Sequence, residues 1–122
     1  METILIVDDE DMVNRLVRAS LETEGYTVLE ATTGEEALEI ATRYTGEIQL
    51  LITNHVLRRS TGREVAERLH VFRPGMKVLH ISGHNRQTLE AEGTLTPGSL
   101  FVQKPFMPKD LRAKVRAILD QK

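Results

Sequence analysis

The sequence predicts an α/β fold in which one doubly wound sheet of five parallel strands is flanked by five helices. Short aliphatic, β-branched segments alternate five times with segments of helical periodicity along 122 residues. The first and third strand segments are continuously apolar, which is typical of strands covered on both faces. Each connection is long enough to hold a crossover helix, so neighbouring strands are expected to be parallel. This length suits a single domain over residues 1–122.

Five segments rich in valine, isoleucine and leucine predict the strands. The second segment also contains Thr27 and Glu30, and this more polar character is typical of a strand at the edge of a sheet. The predicted strands are residues 3–7, 26–31, 48–53, 77–81 and 100–102.

Capping signals and apolar spacing predict the helices. Thr33 with Glu36, and Thr61 with Glu64, have the spacing of a capping box, while Pro108 suits the first position of the last helix. A short fourth helix is expected over about residues 86–92. Residues spaced three and four apart predict the side chains that face the sheet. These are Val13, Leu16, Val17, Ser20 and Leu21 in the first helix, Ala37, Leu38 and Ala41 in the second, Val65, Ala66, Leu69 and Phe72 in the third, and Leu111, Val115, Ile118 and Leu119 in the last.

Composition argues against several classes of protein. The net charge is -2 and the pI is about 6.1, so the basic footprint of a nucleic-acid-binding domain is missing and no nucleic acid partner is expected. No apolar segment approaches the roughly 20 residues that span a bilayer. Together with the lack of cysteine, this predicts a cytoplasmic domain that does not insert into a membrane.

Polar side chains follow four of the predicted strands at their carboxyl ends, where ligands bind in sheets of this kind. Asp8 and Asp9 follow the first strand, Asn54 the third, Ser82 the fourth and Lys104 the fifth. Carboxylate and amide oxygens are hard ligands that suit Mg²⁺. A hydroxyl and an ammonium group can hold phosphoryl oxygens. The set therefore predicts a site that handles phosphoryl groups.

Enzyme motifs that would explain such a site differently are missing. The sequence has neither a phosphate-binding loop ending in Lys-Ser/Thr nor a Gly-x-Gly-x-x-Gly after the first strand, which disfavours a nucleotide enzyme. Ser82 lies outside any nucleophile-elbow motif. A small Mg²⁺-dependent phosphotransfer enzyme with Asp8 as nucleophile stays open as an alternative, although the side chains of adjacent Asp8 and Asp9 point in different directions.

Five motifs occur in a fixed order along essentially the whole chain. They are Ile4-Leu5-Ile6-Val7-Asp8-Asp9-Glu10, Gly25-Tyr26, Gly34-Glu35-Glu36-Ala37-Leu38, Val78-Leu79-His80-Ile81-Ser82-Gly83 and Phe101-Val102-Gln103-Lys104-Pro105-Phe106. Together they resemble the receiver domain of two-component response regulators, and the last two are most similar to receivers attached to hybrid sensor histidine kinases. The resemblance implies a flavodoxin-like sheet with strand order 2-1-3-4-5 and a signalling domain rather than an enzyme.

The resemblance also implies roles for the strand-end residues. Asp8 and Asp9 correspond to the acidic pair of the family, with Asp9 as a direct Mg²⁺ ligand. Ser82 corresponds to the switch hydroxyl, Phe101 to the switch aromatic residue and Lys104 to the lysine of the family's site.

The phosphoacceptor position is where this chain departs from the family. The resemblance implies an aspartate eight residues before the glycine that opens helix three, and counting back from Gly62 leads to Asn54. The carbonyl of Val56 would then be the third protein ligand of Mg²⁺. Asparagine is neutral and a poor nucleophile, although its oxygen still has a lone pair to offer. At about 4 Å and an effective dielectric constant near 20, each unit of ligand charge matters by roughly 4 kcal/mol per unit of metal charge before compensation.

We therefore expect that Asn54 prevents phosphorylation and weakens Mg²⁺ binding. Whether Asn54 is the natural residue of a degenerate receiver or an engineered block of an aspartate stays open, as does a purely phosphorylation-independent interaction or dimerisation module. The expected partner is a histidine kinase or a phosphotransfer domain. A homodimer through the face made by helix 4, strand 5 and helix 5 is also possible.

The remaining basic residues near the strand ends have simpler interpretations. Leu57-Arg58 stands where the family commonly has Met-Pro. Arg58 and Arg59 are expected to be solvated loop residues, with approach to the acidic pocket, where they would partly replace Mg²⁺, as the alternative. His70 and His80 are expected to be structural. His55 and His84 flank the pocket, and with Asp9 they would make a candidate transition-metal site, although their spacing matches no zinc motif.

Overall fold

The sheet has five parallel strands, with helices on both faces, in a computed structural model that describes residues 2–121. The strand order is 2-1-3-4-5, as predicted, and the second strand lies at an edge of the sheet. In chain order the elements are β1 (Thr3–Val7), α1 (Asp11–Glu22), β2 (Thr27–Ala31), α2 (Gly34–Arg43), β3 (Leu50–Asn54), α3 (Gly62–His70), β4 (Lys77–Ser82), α4 (Arg86–Ala91), β5 (Leu100–Gln103) and α5 (Pro108–Asp120).

Two hydrophobic cores cover the two faces of the sheet. Alternate residues of β1 belong to different cores: Ile4 and Ile6 pack with α1 and α5, whereas Leu5 and Val7 pack with α2 and α3. All five residues of β1 are buried. A strand buried on both faces gains from an apolar residue at every position, which is why its sequence lacks alternation. Polar groups are consequently concentrated where the strands end.

Side-chain caps define where α2 and α3 begin. The Thr33 hydroxyl accepts a hydrogen bond from the N–H of Glu36 at 3.0 Å, and the Thr61 hydroxyl accepts one from the N–H of Glu64 at 3.1 Å. Both caps were expected from the sequence spacing. Within residues 2–121, no helix is long and apolar enough to cross a membrane.

Two side chains that the apolar spacing placed in the core are exposed instead. Leu16 is 46% exposed, because α1 turns Asn14, Val17 and Leu21 towards the sheet and leaves Leu16 on the flank. Phe72 is 53% exposed, because α3 ends at His70 and the helical spacing does not continue into the following turn. Smaller differences concern the first residues of β2 and β3, which begin one and two residues later than predicted.

Two histidines are buried together under the sheet face that packs against α3. His80 in β4 is 7% exposed, His55 just after β3 is 1% exposed, and their ring centroids lie 5.8 Å apart. Burial, together with the smaller effects of the neighbouring His55 and Arg86, lowers the pKa of His80 from its ordinary value of 6.5 to about 4. His80 is thus held in its neutral form in the folded protein at neutral pH.

This burial predicts that the domain loses stability in mild acid. Because the unfolded chain takes up a proton on His80 near pH 6.5 and the folded chain only near pH 4, the free energy of unfolding should fall as the pH drops through that interval. The expected loss between pH 7.5 and 5 is on the order of 2 kcal/mol. Urea unfolding at several pH values measures it.

The substitution His80→Phe should remove most of this pH dependence, because phenylalanine keeps the volume and cannot be protonated. His70→Gln, at a histidine outside the pair, is the matched control and should leave the slope in place. An unchanged slope in His80→Phe would contradict the assignment.

Candidate functional site

An ion pair joins the end of β1 to the end of β5. The Asp8 carboxylate is buried, and its Oδ2 lies 3.1 Å from Nζ of Lys104. Its Oδ1 accepts a hydrogen bond from the N–H of Glu10 at 2.9 Å, and Glu10 Oε1 lies 3.6 Å from the same Nζ. Burial raises the pKa of Asp8, whereas the Glu10 N–H and the Lys104 ammonium lower it. The structure thus brings together Asp8 and Lys104, two of the predicted site residues.

Asp8, Asp9 and Glu10 form an acidic corner at the end of β1. A buried asparagine that the sequence interpretation missed fixes the backbone of this acidic corner. Asn14 in α1 donates through Nδ2 to the carbonyls of Asp8 at 3.0 Å and Ala31 at 3.1 Å. It therefore ties α1 to the ends of both β1 and β2. Its position three residues before Val17 and seven before Leu21 was the available signal, since that spacing marks the inner face of a helix.

Asn54 ends β3 with its side chain turned onto the following loop. Its Nδ2 lies 2.8 Å from the carbonyl oxygen of Val56. Because a carbonyl only accepts hydrogen bonds, the amide must present its NH₂ group there. The Val56 carbonyl is the third Mg²⁺ ligand implied by the resemblance, so in this chain an amide N–H faces the oxygen that would face the cation. An ionised aspartate could not donate this bond.

Close backbone contacts hold the loop that carries Asn54. The N–H of His55 donates to the Ile81 carbonyl at 2.7 Å, and the N–H of Gly62 donates to the His55 carbonyl at 2.8 Å. A Cβ on Gly62 would lie 2.6 Å from the Asn54 carbonyl oxygen and 2.9 Å from Cγ2 of Thr53. A side chain at this position would displace the end of β3. Glycine is therefore required here by the close approach of α3 to β3.

Ser82 and Phe101 occupy neighbouring strands at the same end of the sheet. Ser82 is buried, and its Oγ accepts a hydrogen bond from the N–H of His84 at 3.1 Å. The Ser82 carbonyl accepts one from the N–H of Lys104 at 2.7 Å, which ties β4 to the predicted lysine. Phe101 is half-buried, with the Arg86 guanidinium 5.4 Å from its ring centroid, a cation–π distance.

The two loop arginines border a different cavity. Arg58 and Arg59 are exposed and line a cavity of about 270 Å³ between the β3–α3 loop and the start of α2. In the part of the chain that the structure describes, no salt bridge joins either arginine to Asp8 or Asp9. The described contacts thus give no support to the alternative in which an arginine enters the acidic corner.

The donor groups at the strand ends fit Mg²⁺ by chemical type. Asp8 and the half-buried Asp9 supply two carboxylates, and Val56 supplies a carbonyl, while Mg²⁺ needs only one or two carboxylates and keeps several waters. Asn54 adds no charge and engages the carbonyl. Between residues 2 and 121, no three His, Asp or Glu side chains are already grouped around a common point.

Comparison with known proteins agrees with this architecture. The family model of the response regulator receiver domain matches residues 4–116. The sensor kinase CckA of Brucella abortus is 31% identical over 119 residues, which are 98% of this chain and 13% of the kinase. The alkaline phosphatase synthesis transcriptional regulatory protein PhoP of Bacillus subtilis is 32% identical over 116 residues, which are 95% of this chain and 48% of the regulator. The chain thus spans about half of this regulator and a small part of the kinase.

Solved structures show the same similarity. The receiver domain of the hybrid histidine kinase CckA superposes with a TM-score of 0.81 at 33% identity, covering 97% of this chain and 99% of that one. A CheY-like receiver domain from Methanospirillum hungatei JF-1 has a TM-score of 0.81 at 30% identity, covering 98% of this chain and 94% of that one. The resemblance to hybrid-kinase receivers is therefore confirmed. By its strand order and its family match, the chain belongs to the response regulator receiver domains of two-component signalling systems.

Proposed function

We propose that this domain works as a receiver whose phosphoacceptor chemistry is switched off at Asn54. The observation that carries the proposal is the hydrogen bond from Asn54 Nδ2 to the Val56 carbonyl. The amide nitrogen is committed to a neighbouring carbonyl, and the amide oxygen is neutral and weakly nucleophilic. A phosphoryl donor at this position would meet no carboxylate, although the surrounding groups of a receiver are retained.

The other strand-end residues divide the binding of a phosphoryl group among them. The Lys104 ammonium and the Ser82 hydroxyl would contact phosphoryl oxygens as point charge and neutral donor. Asp8, Asp9 and the Val56 carbonyl would hold Mg²⁺, which supplies positive charge against those oxygens when bound. In the chain as it stands, Lys104 neutralises Asp8 and the Asn54 amide occupies Val56. Two oxygen groups of the pocket therefore already have partners within the protein.

The domain is proposed to act through contact with a histidine kinase or phosphotransfer protein. Met12 and Leu16 are exposed and lie four residues apart on α1, so they form one apolar strip. Met107, also exposed, immediately precedes α5, which packs against α1. The Lys104–Asp8 ion pair places the starts of both helices at the same end of the sheet. This apolar rim beside the pocket suits the helix of a histidine-bearing partner.

We further propose that the domain resides in the cytoplasm and binds no nucleic acid, and that a homodimer would form through α4, β5 and α5. Analytical ultracentrifugation of the purified domain tests for the homodimer directly.

The phosphoacceptor proposal predicts that one substitution restores phosphorylation. With Mg²⁺ and a small phosphodonor such as acetyl phosphate, the Asn54→Asp variant should gain one phosphoryl group and the parent none, because only the carboxylate is a nucleophile. Intact mass spectrometry makes the measurement, and Asn54→Ala is the negative control. Labelling of the parent protein would refute the proposal, and a silent Asp variant would show that the pocket has degenerated beyond this residue.

Magnesium binding should respond to the same position. Asn54→Asp adds a negative charge and releases the Val56 carbonyl, so Mg²⁺ affinity should rise at least about tenfold over the parent. Isothermal titration calorimetry measures the change. Asn54→Ala releases the Val56 carbonyl without adding charge. It therefore separates the effect of the free carbonyl on Mg²⁺ affinity from the effect of the added charge. Equal affinities in the parent and the Asp variant would mean that neighbouring groups compensate for the charge.

The apolar rim predicts a partner-binding defect that leaves the fold intact. Leu16→Glu should weaken binding to the cognate histidine kinase at least about tenfold, because it places a charge in a desolvated contact. Val71→Glu is the matched control, since Val71 is exposed and lies past the end of α3, away from the pocket. Biolayer interferometry gives the affinities and circular dichroism checks the fold. Equal weakening by both substitutions would rule out the α1 rim as the docking surface.

A further inference from the structure

The buried pair His55 and His80 has ring nitrogens without partners. In the described part of the chain, Nδ1 and Nε2 of His55 and Nδ1 of His80 are fully buried and form no hydrogen bond. Both side chains are more than nine-tenths buried. Buried polar atoms are nearly always hydrogen-bonded, because leaving them unpaired costs free energy. Three such atoms in two adjacent imidazoles point to a ligand that binds nitrogen.

The geometry of the pair fits two ligands of one metal ion. The ring centroids lie 5.8 Å apart with an interplanar angle of 68°. Two imidazoles that bind the same ion at about 2.1 Å have their centroids roughly 5 to 6.5 Å apart. Burial also keeps His80 neutral, its pKa being about 4, and a neutral imidazole is the form that binds metals.

The charges of two exposed side chains, His84 and Glu92, affect the His55 ring of the pair. The pKa of His55 is lowered mainly by burial, while Glu92 raises it and His84 lowers it, so the charges of both side chains act on this ring. His84 precedes the six-residue helix α4 and Glu92 follows it. Among the described residues the four side chains do not already surround a common point, so the exposed pair must rotate to complete a site.

We propose that His55 and His80 form the fixed half of a transition-metal site, for an ion of the Zn²⁺, Ni²⁺ and Cu²⁺ class, which His84 and Glu92 complete from the two ends of α4. Imidazole nitrogen is a ligand that these ions prefer, whereas Mg²⁺ prefers oxygen. The site therefore differs in chemistry from the acidic corner around Asp8. It does not rest on the proposed phosphoacceptor role of Asn54.

Occupancy of this site would have a structural consequence. The ion would fasten both ends of α4 to the ends of β3 and β4. His55 directly follows Asn54, and His80 lies two residues before Ser82. A bound metal would accordingly fix the position of α4 relative to the loop that carries Asn54.

Calorimetric titration of the intact 122-residue chain with Zn²⁺ tests the proposal. Excess Mg²⁺ is present to occupy the oxygen ligands of the acidic corner. We expect one equivalent of Zn²⁺ to bind, and His80→Phe and His55→Leu each to weaken binding at least about tenfold, since loss of even an outer-shell partner of a ligand has that effect. Both replacements are apolar and preserve the core. His70→Gln is the control histidine and should bind like the parent.

Further variants locate the ion independently. His84→Ala and Glu92→Gln should each reduce the affinity, and the visible absorption of bound Co²⁺ should indicate nitrogen ligands that disappear in His80→Phe. Circular dichroism establishes that each variant is folded. The proposal is overturned if the parent binds no Zn²⁺, or if His80→Phe and His55→Leu bind it like the parent. Loss of binding in Asp9→Asn with full binding in His80→Phe would place the ion in the acidic corner and overturn it equally.

Discussion

The ion pair between Asp8 and Lys104 is the interaction on which the arrangement of the pocket depends. It joins residues 96 positions apart in the chain and closes the carboxyl end of the sheet. A buried carboxylate without a partner would be costly, so removing the lysine would leave Asp8 either protonated or displaced. Glu10 shares the same ammonium group, and Asn14 holds the Asp8 backbone. The acidic corner is thus built from β1, α1 and β5 together.

Asn54 makes a comparable internal contact at the end of β3, where its amide satisfies a backbone carbonyl. Its NH₂ group meets the Val56 carbonyl, much as the Lys104 ammonium meets the Asp8 carboxylate. Each of these oxygens would otherwise be available to a cation. Under the proposed correspondence of Asn54 with the phosphoacceptor, an amide in place of a carboxylate would change more than nucleophilicity, because it also supplies a hydrogen-bond donor that the loop uses. The acidic pair, the hydroxyl and the lysine that the resemblance implies are all present in the sequence, and Asn54 is the proposed departure among the polar groups of the pocket.

Much of the fold could be predicted because both faces of the sheet are buried. Strands with no wet face are apolar throughout, so their number, order along the chain and carboxyl ends are readable from residue type. The predictions that Leu16 and Phe72 face the core were wrong. Apolar spacing does not reveal how wide the buried face of a helix is, nor at which residue the helix ends. Asn14 was missed because a buried amide looks like a surface residue in sequence. The functional roles of the site residues stay predictions, and these residues are Asp8, Asp9, Asn54, Val56, Ser82, Phe101 and Lys104.

The contact between the His55 and His80 rings could not be predicted from the sequence. The two residues are 25 positions apart, and they meet only because β3 and β4 pair in a register that sets Thr53 opposite His80. That register also places Asn54 opposite Ile81, so Asn54 and the imidazole pair lie at the same end of the two strands. The backbone of Gly62 lies so close to the Asn54 carbonyl oxygen that a side chain at position 62 would displace it. A ligand that moves the His55 backbone would act on the adjacent Asn54 and on the hydrogen bond between the Gly62 N–H and the His55 carbonyl. The backbone between Asn54 and Gly62 is accordingly the covalent connection through which a change at the imidazoles would reach Asn54.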